Sequence, residues 1–161
     1  MAFSIRPAIR DDAETIFGFV RDLAIFEEAL DKVETTAEGL ADAIFGPSSV
    51  TEALIGEIDG KPAGFAIYFF NFSTWQGKNG IYLEDLYVSP ENRGSGLGRA
   101  LMRRVAEIGV ERGCGRMEWS VLDWNEKAIR VYDGIGGAPQ TEWIRYRLEG
   151  ETLTAMARGD V

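Results

Sequence analysis

The sequence predicts an α/β chain in which a central mixed, mostly antiparallel sheet is flanked by helices. Three observations lead there. Strand-like runs alternate with amphipathic helical periods in the order β-α-α-β-β-β-α-β-α-β. The dipeptide Asp59-Gly60 separates two adjacent strand runs, the mark of an antiparallel hairpin. Between residues 81 and 112 a strand, a glycine-rich turn and a strong amphipathic helix follow one another, an order suited to holding an anion. At 161 residues, without repeats or a long linker, the chain is expected to form one domain over 1–161.

The elements follow in order. Phe3 and Ile5 alternate with Ser4 and Arg6, as in a short strand. Asp11-Asp12 is placed to cap a helix, in which Ile16, Val20, Leu23 and Ala24 share a face. A second short helix is expected over 36–45, stopped by Gly46-Pro47. Residues 53–58 and 63–72 read as the hairpin strands, and 81–88 as another strand, broken by Ser89-Pro90. Over 97–112, Leu97, Leu101, Val105 and Ile108 form an apolar stripe, with Arg99, Arg103, Glu107 and Glu111 elsewhere on the cylinder. A strand at 117–122, a helix from Asn125 to about residue 135, a last strand at 142–148 and a short helical tail complete the order.

Composition narrows the function. With 17 basic and 26 acidic residues the net charge is −9, which argues against nucleic-acid and anionic-membrane partners and favours cationic ligands. The chain has no histidine and a single cysteine, Cys114. That excludes Ser-His-Asp and Cys-His nucleophile systems and zinc sites built on His or thiolate clusters. No metal is expected. Acid–base work falls to Asp, Glu, Tyr, Lys, Cys or bridging water. One cysteine permits no internal disulfide, and the first residues do not form a signal peptide, so a cytoplasmic location is expected.

The turn Arg93-Gly94-Ser95-Gly96-Leu97-Gly98 carries the most chemical information. Glycines lacking Cβ allow an anion close to the backbone. The N–H groups of residues 94–99 begin a helix, where donors are unsatisfied and the dipole is positive. Arg93 adds a full charge. The dinucleotide fingerprint fails on spacing, and a P-loop would need Gly-Lys-Ser/Thr, which is missing.

Two further features stand out. Glu84 and Asp85 are adjacent carboxylates in an otherwise apolar strand, expected on opposite faces. They are either salt-bridged or functional. Tyr132 lies on the inner face of a predicted helix near Ile129 and Ile135, as a core residue or a catalytic one. Asn125 reads as an N-cap.

Arg93-x-x-Gly96-x-Gly98, after the strand Tyr82-Leu83-Glu84-Asp85-Leu86-Tyr87-Val88, resembles motif A of the GNAT acetyltransferase superfamily, and Asn125 followed by Tyr132 resembles its motif B. Ser73-Thr74-Trp75, Tyr82-Leu83-Glu84-Asp85 and Leu122-Asp123-Trp124-Asn125 are similar to the diamine (spermidine/spermine) and thialysine acetyltransferase group, with the thialysine type nearer. The resemblance implies the GNAT fold and acetyl-CoA as cosubstrate. Leu86, Tyr87 and Val88 would pair with the pantetheine arm, and Gly94, Ser95, Gly96, Leu97, Gly98 and Arg99, with Arg93, would hold the pyrophosphate. Strands 81–88 and 117–122 would splay to admit the cofactor, and Asn125 and Tyr132 would contact it.

The same resemblance makes Tyr132 the general acid and gives Glu84 the substrate ammonium and its proton. Phe26, Glu27, Trp75, Asp85, Glu118, Trp119, Ser120 and Glu142, with Trp143, match stretches that line the amine pocket. Phe26 stands where the polyamine enzyme has a tyrosine, and the loop before Glu142 is shorter than in either relative. The chemistry agrees with these roles. An alkyl ammonium of pKa near 10 must lose a proton before attacking a thioester, and a tyrosine of similar pKa suits the leaving thiolate. The implied reaction is transfer of an acetyl group to a small cationic amine by direct attack in a ternary complex, in a homodimer. Acetylation of a protein or an aminoglycoside, or CoA sensing without turnover, are the competing readings.

Overall fold

In the computed structural model, which describes residues 2–160, contacts divide the chain into two compact units, Met1–Leu122 and Asp123–Val161. The first contains a five-stranded sheet in sequence order: β1 (Phe3–Pro7), β2 (Thr51–Ile58), β3 (Lys61–Ser73), β4 (Lys78–Val88) and β5 (Met117–Trp119). The first four are antiparallel neighbours, and β5 pairs parallel to β4. The expected mixed, mostly antiparallel sheet flanked by helices is therefore present. Asp59 and Gly60 both have positive φ, 50° and 77°. That is the turn whose twist matches an antiparallel hairpin, and it sets the β2–β3 register.

Helices α1 (Ala13–Phe26) and α2 (Ala37–Phe45) cover one face. Ile16, Phe19 and Ile44 pack there with Ala53, Ile55, Phe65, Ile67 and Tyr87. Phe19 lies 5.7 Å from Phe65 and 5.8 Å from Tyr87, ring to ring. Each fully buried side chain of this kind contributes roughly 1.5–3 kcal/mol. Thr36, where the second helix was expected to begin, caps α2 by accepting from Gly39 N at 3.0 Å.

Helix α3 (Leu97–Glu111) covers the other face. Its apolar stripe is buried: Leu97, Leu101 and Val105 have no exposure. A Cβ at Gly56 would lie 2.8 Å from Leu97 Cδ1, so the bare backbone of β2 lets the start of α3 sit close to the sheet.

Asp12 does not cap α1 through its side chain. It instead receives both terminal nitrogens of Arg6 at 2.7 and 2.8 Å and Ile9 N at 2.8 Å, while Arg6 Nε reaches Glu57 at 2.8 Å. This network ties β1, β2 and the start of α1. The Arg6 guanidinium holds the Asp12 carboxyl below the usual aspartate range.

The second unit contains α4 (Glu126–Gly134) and α5 (Gly150–Arg158). Neither has a buried residue. Two strand expectations are corrected. Residues 142–148 form no strand, although Trp143, Arg145 and Arg147 alternate with Ile144, Tyr146 and Leu148. A pleated sequence becomes a strand only when a neighbour supplies a ladder, and no sheet partner is present for this one among the described residues. The strand expected over 117–122 stops at Trp119 for the same reason: its pairing with β4 ends at Leu83.

Candidate active site

The site begins at an irregularity in β4. Ile67 of β3 faces Asp85, but the next residue, Tyr68, faces Leu83, leaving Glu84 as an extra residue. This is a β-bulge. Its consequence is visible from α3: a Cβ on Gly109 would touch Ile81, and one on Gly98 would touch Val88. Ile81 and Val88 are an odd number of residues apart, so a regular strand would turn them to opposite faces. The bulge brings both to the α3 face and leaves Asp85 and Tyr87 toward α1. The expected strict alternation of Glu84 and Asp85 is therefore broken at Glu84.

The bulge coincides with the end of the β4–β5 ladder. Ile81, Tyr82 and Leu83 pair with Met117, Glu118 and Trp119, and pairing goes no further. Beyond Leu83 the edge of β4 that faced β5 carries no ladder among the described residues; Leu86, Tyr87 and Val88 follow along this stretch, where Val88 O accepts from Arg93 Nε. Tyr82 Oη and Ser120 Oγ are 2.8 Å apart, a tie just beyond the last β5 residue.

Three carboxylates meet at this point. Burial pushes Asp85 up to about 6, and Glu84 and Glu27 add to the rise by their charge. Glu27 caps the C-terminus of α1 and is itself raised by burial. Glu84 is exposed. Glu27 and Glu84 thus lie close enough to Asp85 for their charges to act on it. Glu118 is differently engaged, accepting from Arg116 Nε at 3.2 Å and Asn71 Nδ2 at 3.3 Å. Trp75 lies in the β3–β4 connection and is 87% exposed, and Trp119 and Ser120 are at the end of β5.

The glycine turn follows a short 3-10 turn, residues 90–92, anchored by the buried Ser89. Ser89 Oγ donates to Ala63 O at 2.9 Å and accepts from Asn92 Nδ2 at 3.0 Å. Gly94 and Gly96 have φ of 81° and 89°, a region L side chains rarely enter. Gly96 is the N-cap of α3 without a side-chain cap, and the first turn of α3 carries no acidic residue. Leu97 N donates to Ser95 Oγ at 3.3 Å, and the positive dipole end with the other first-turn N–H groups makes this a helix start that suits an anion. Arg93 turns toward α1: its guanidinium lies 5.3 Å from the Phe26 ring and 5.6 Å from the Tyr87 ring, and Nε donates to Val88 O at 3.1 Å.

In the second unit Asn125 caps α4, its Oδ1 accepting from Ala128 N at 3.3 Å. Tyr132, seven residues on, comes back to the same side of the helix and is half-buried. Glu142 and Trp143 are exposed on the irregular segment before α5.

The bulge and the turning of Arg93 were not foreseen from sequence. The bulge did leave a trace, because Leu83 and Leu86, both large and apolar, are three apart within one strand. Arg93 left none, because Phe26, the partner that ties it to α1, is distant in sequence.

The profile of the acetyltransferase (GNAT) family matches residues 9–136. The chain is 38% identical to a thialysine N-epsilon-acetyltransferase of Bos taurus, over 98% of this chain and 99% of that protein. It is 33% identical to a spermidine/spermine N(1)-acetyltransferase-like protein of Homo sapiens, over 96% of this chain but 24% of that longer protein. Among solved structures it is similar to an integron cassette protein from the mobile metagenome of V. cholerae. The TM-score is 0.81 at 26% identity, covering 98% and 99% of the two chains. A bulged fourth strand followed by an uncapped glycine turn, together with near full-length likeness to N-acetyltransferases, places the chain in the GNAT acetyltransferase family as an N-acetyltransferase.

Proposed function

We propose that this enzyme transfers the acetyl group of acetyl-CoA to a primary amine of a small cationic substrate, a thialysine- or lysine-like amine or a diamine. The observation that carries the reading is the meeting of Glu27, Glu84 and Asp85 where the β4–β5 ladder ends, a few residues before the glycine turn. Three carboxylates attract a cation, and the same place offers free strand edge for a cofactor arm. The names of the relatives in cattle and humans point to the same substrate class.

The residues fit coenzyme A. Residues 94–99 supply N–H donors at an uncapped helix start, enough for a pyrophosphate. The edge of Leu86, Tyr87 and Val88 suits an extended amide-bearing arm. The cosubstrate supplies an activated thioester carbonyl. Glu84, exposed to water, accepts the ammonium proton through water, while Glu27 and Asp85 hold the cation. The neutral amine would attack the thioester carbonyl directly and release the thiol, for whose sulfur Tyr132 Oη would supply the proton. No enzyme nucleophile is needed, consistent with a chain that has no histidine.

The test is turnover. Acetyl-CoA is mixed with a panel of thialysine, lysine, putrescine, spermidine and a peptide amine, and thiol release is followed. Turnover is expected with the small cations. Turnover only with the peptide would replace the substrate class. Tyr132→Phe is expected to lower kcat about a hundredfold or more with little change in CoA affinity; full activity would remove the acid role. We take the working form to be a cytoplasmic homodimer, to which the exposed Ile144 and Tyr146 would contribute surface. Sedimentation velocity reads its mass.

A further inference from the structure

Arg93 opens the turn to which the pyrophosphate is assigned, yet its guanidinium is stacked over Phe26, the last residue of α1, and over Tyr87. Its Nε is fixed on Val88 O. The end of α1 needs such a cation. The last turn carries no basic residue, while Asp22, Glu27 and Glu28 place acidic groups at or near the negative end of the helix dipole. Glu28 also takes a positive φ of 57°, uncommon outside glycine, so the turn after Phe26 is held in a shape that local preference does not favour. Arg93 is therefore a contact that the phosphate turn makes with the segment supplying Glu27.

The turn itself is lightly held within the chain. Its hydrogen bonds are long: Arg93 N to Pro90 O at 3.3 Å, Ser95 N to Asn92 O at 3.4 Å and Leu97 N to Ser95 Oγ at 3.3 Å. Bonds of this length are at the weak end of the range. An anion accepting from the same N–H groups would fix the turn, and with it the base from which Arg93 reaches Phe26.

We propose that Arg93 is a positioning residue that couples the two halves of the site, so that cofactor binding on the glycine turn holds the Phe26–Glu27 turn in place for the amine. The inference rests on the assignment of coenzyme A and a cationic amine made above. It predicts a particular order of events. Coenzyme A binds first or strengthens amine binding, and by linkage the amine strengthens coenzyme A binding by the same factor.

The experiment measures CoA binding by calorimetry, with and without saturating thialysine; this pair cannot react, so the values are equilibrium ones. In the unaltered enzyme thialysine is expected to tighten CoA severalfold. Phe26→Leu, at a position 42% exposed and outside the core, keeps apolar bulk and removes the ring face. It is expected to shrink the tightening roughly two- to fivefold, the strength of one exposed cation–π contact. Arg93→Met is expected to do the same and also weaken CoA itself. Arg93→Lys is expected to recover CoA affinity more than it recovers the coupling, since an ammonium restores charge but not the planar stack. Equal tightening in the unaltered enzyme and in Phe26→Leu overturns the proposal, as does an unaltered enzyme that binds both ligands with no coupling. Should the unaltered enzyme bind neither ligand, the functional reading itself falls and takes the coupling with it.

Discussion

The two halves of β4 have different neighbours and do different things. From Lys78 to Leu83 the strand pairs along β3, and from Ile81 to Leu83 also along β5, with Ile81 and Leu83 almost wholly buried. From Glu84 to Val88 the β5 side is unpaired, and two carboxylates occupy positions where the first half has apolar groups. One extra residue separates the halves. The first half is ordinary sheet, whose side chains contribute by being out of water. The second has no β5 ladder and carries a carboxyl raised by burial. The lesson is local: a bulge can change a strand from structural to functional without interrupting it.

The contrast can be broken by mutation, and the largest effect is expected in the open half. Glu84→Gln keeps the volume and removes the proton acceptor; kcat/KM at pH 7 is expected to fall about 10²- to 10⁴-fold with the melting temperature little changed. Steady-state rates with the best amine check it, and an unaffected rate would free Glu84 of the role. In the closed half, Ile81→Ala leaves a cavity against Gly109 of α3 and is expected to cost about 2–5 kcal/mol of stability by denaturant unfolding. CoA affinity of the protein that remains folded should be near normal.

Asp85 sharpens the comparison, because there stability and function oppose each other. Its folded value, about 6, lies above that of the unfolded chain, so the folded state binds the proton more tightly. It therefore adds stability at low pH that is lost as the pH rises through about 6. Asp85→Asn is expected to stabilise the protein by roughly 2–3 kcal/mol at pH 7 and by almost nothing below pH 4. The amine KM should rise. Thermal melts across pH with parallel kinetics test both signs; a destabilised variant at pH 7 would mean that Asp85 has an uncounted partner. The smallest effect is expected at Gly96→Ala. A Cβ there would meet only Phe3 Cε1, at 4.0 Å, so the cost comes from forcing alanine to φ 89°, about 1–2 kcal/mol. CoA binding is expected to weaken about tenfold, measured by calorimetry.

The regular parts of this pattern were legible in the sequence. The Asp59-Gly60 hairpin, the α2 helix before Gly46-Pro47 and the stripe of α3 are local features set by residues a few positions apart, and each forms as its spacing predicts. The glycine turn was legible for the same reason. One predicted strand did not form and another ended three residues early. Residues 142–148 and 120–122 have strand-like composition, but a strand is defined by its neighbour, and composition cannot supply one. Asp12 shows a milder version: it stands where a cap is expected, yet a cation six residues upstream takes its carboxylate.

By itself, then, the sequence determined the kind of chemistry. The absence of histidine, the surplus of acid, the spaced glycines and the paired Glu84-Asp85 pointed to a turn suited to an anion near a pair of strand carboxylates, without any histidine-dependent nucleophile. Only the tertiary structure decided how these features meet. The bulge at Glu84, the arrival of Glu27 beside Asp85 and the stacking of Arg93 on Phe26 all join residues far apart in the chain. The reason is physical. Caps, turns and amphipathic stripes are fixed by energies acting within a few residues. Register shifts, burial-driven rises in pKa and long-range ring contacts exist only once distant strands and helices have packed.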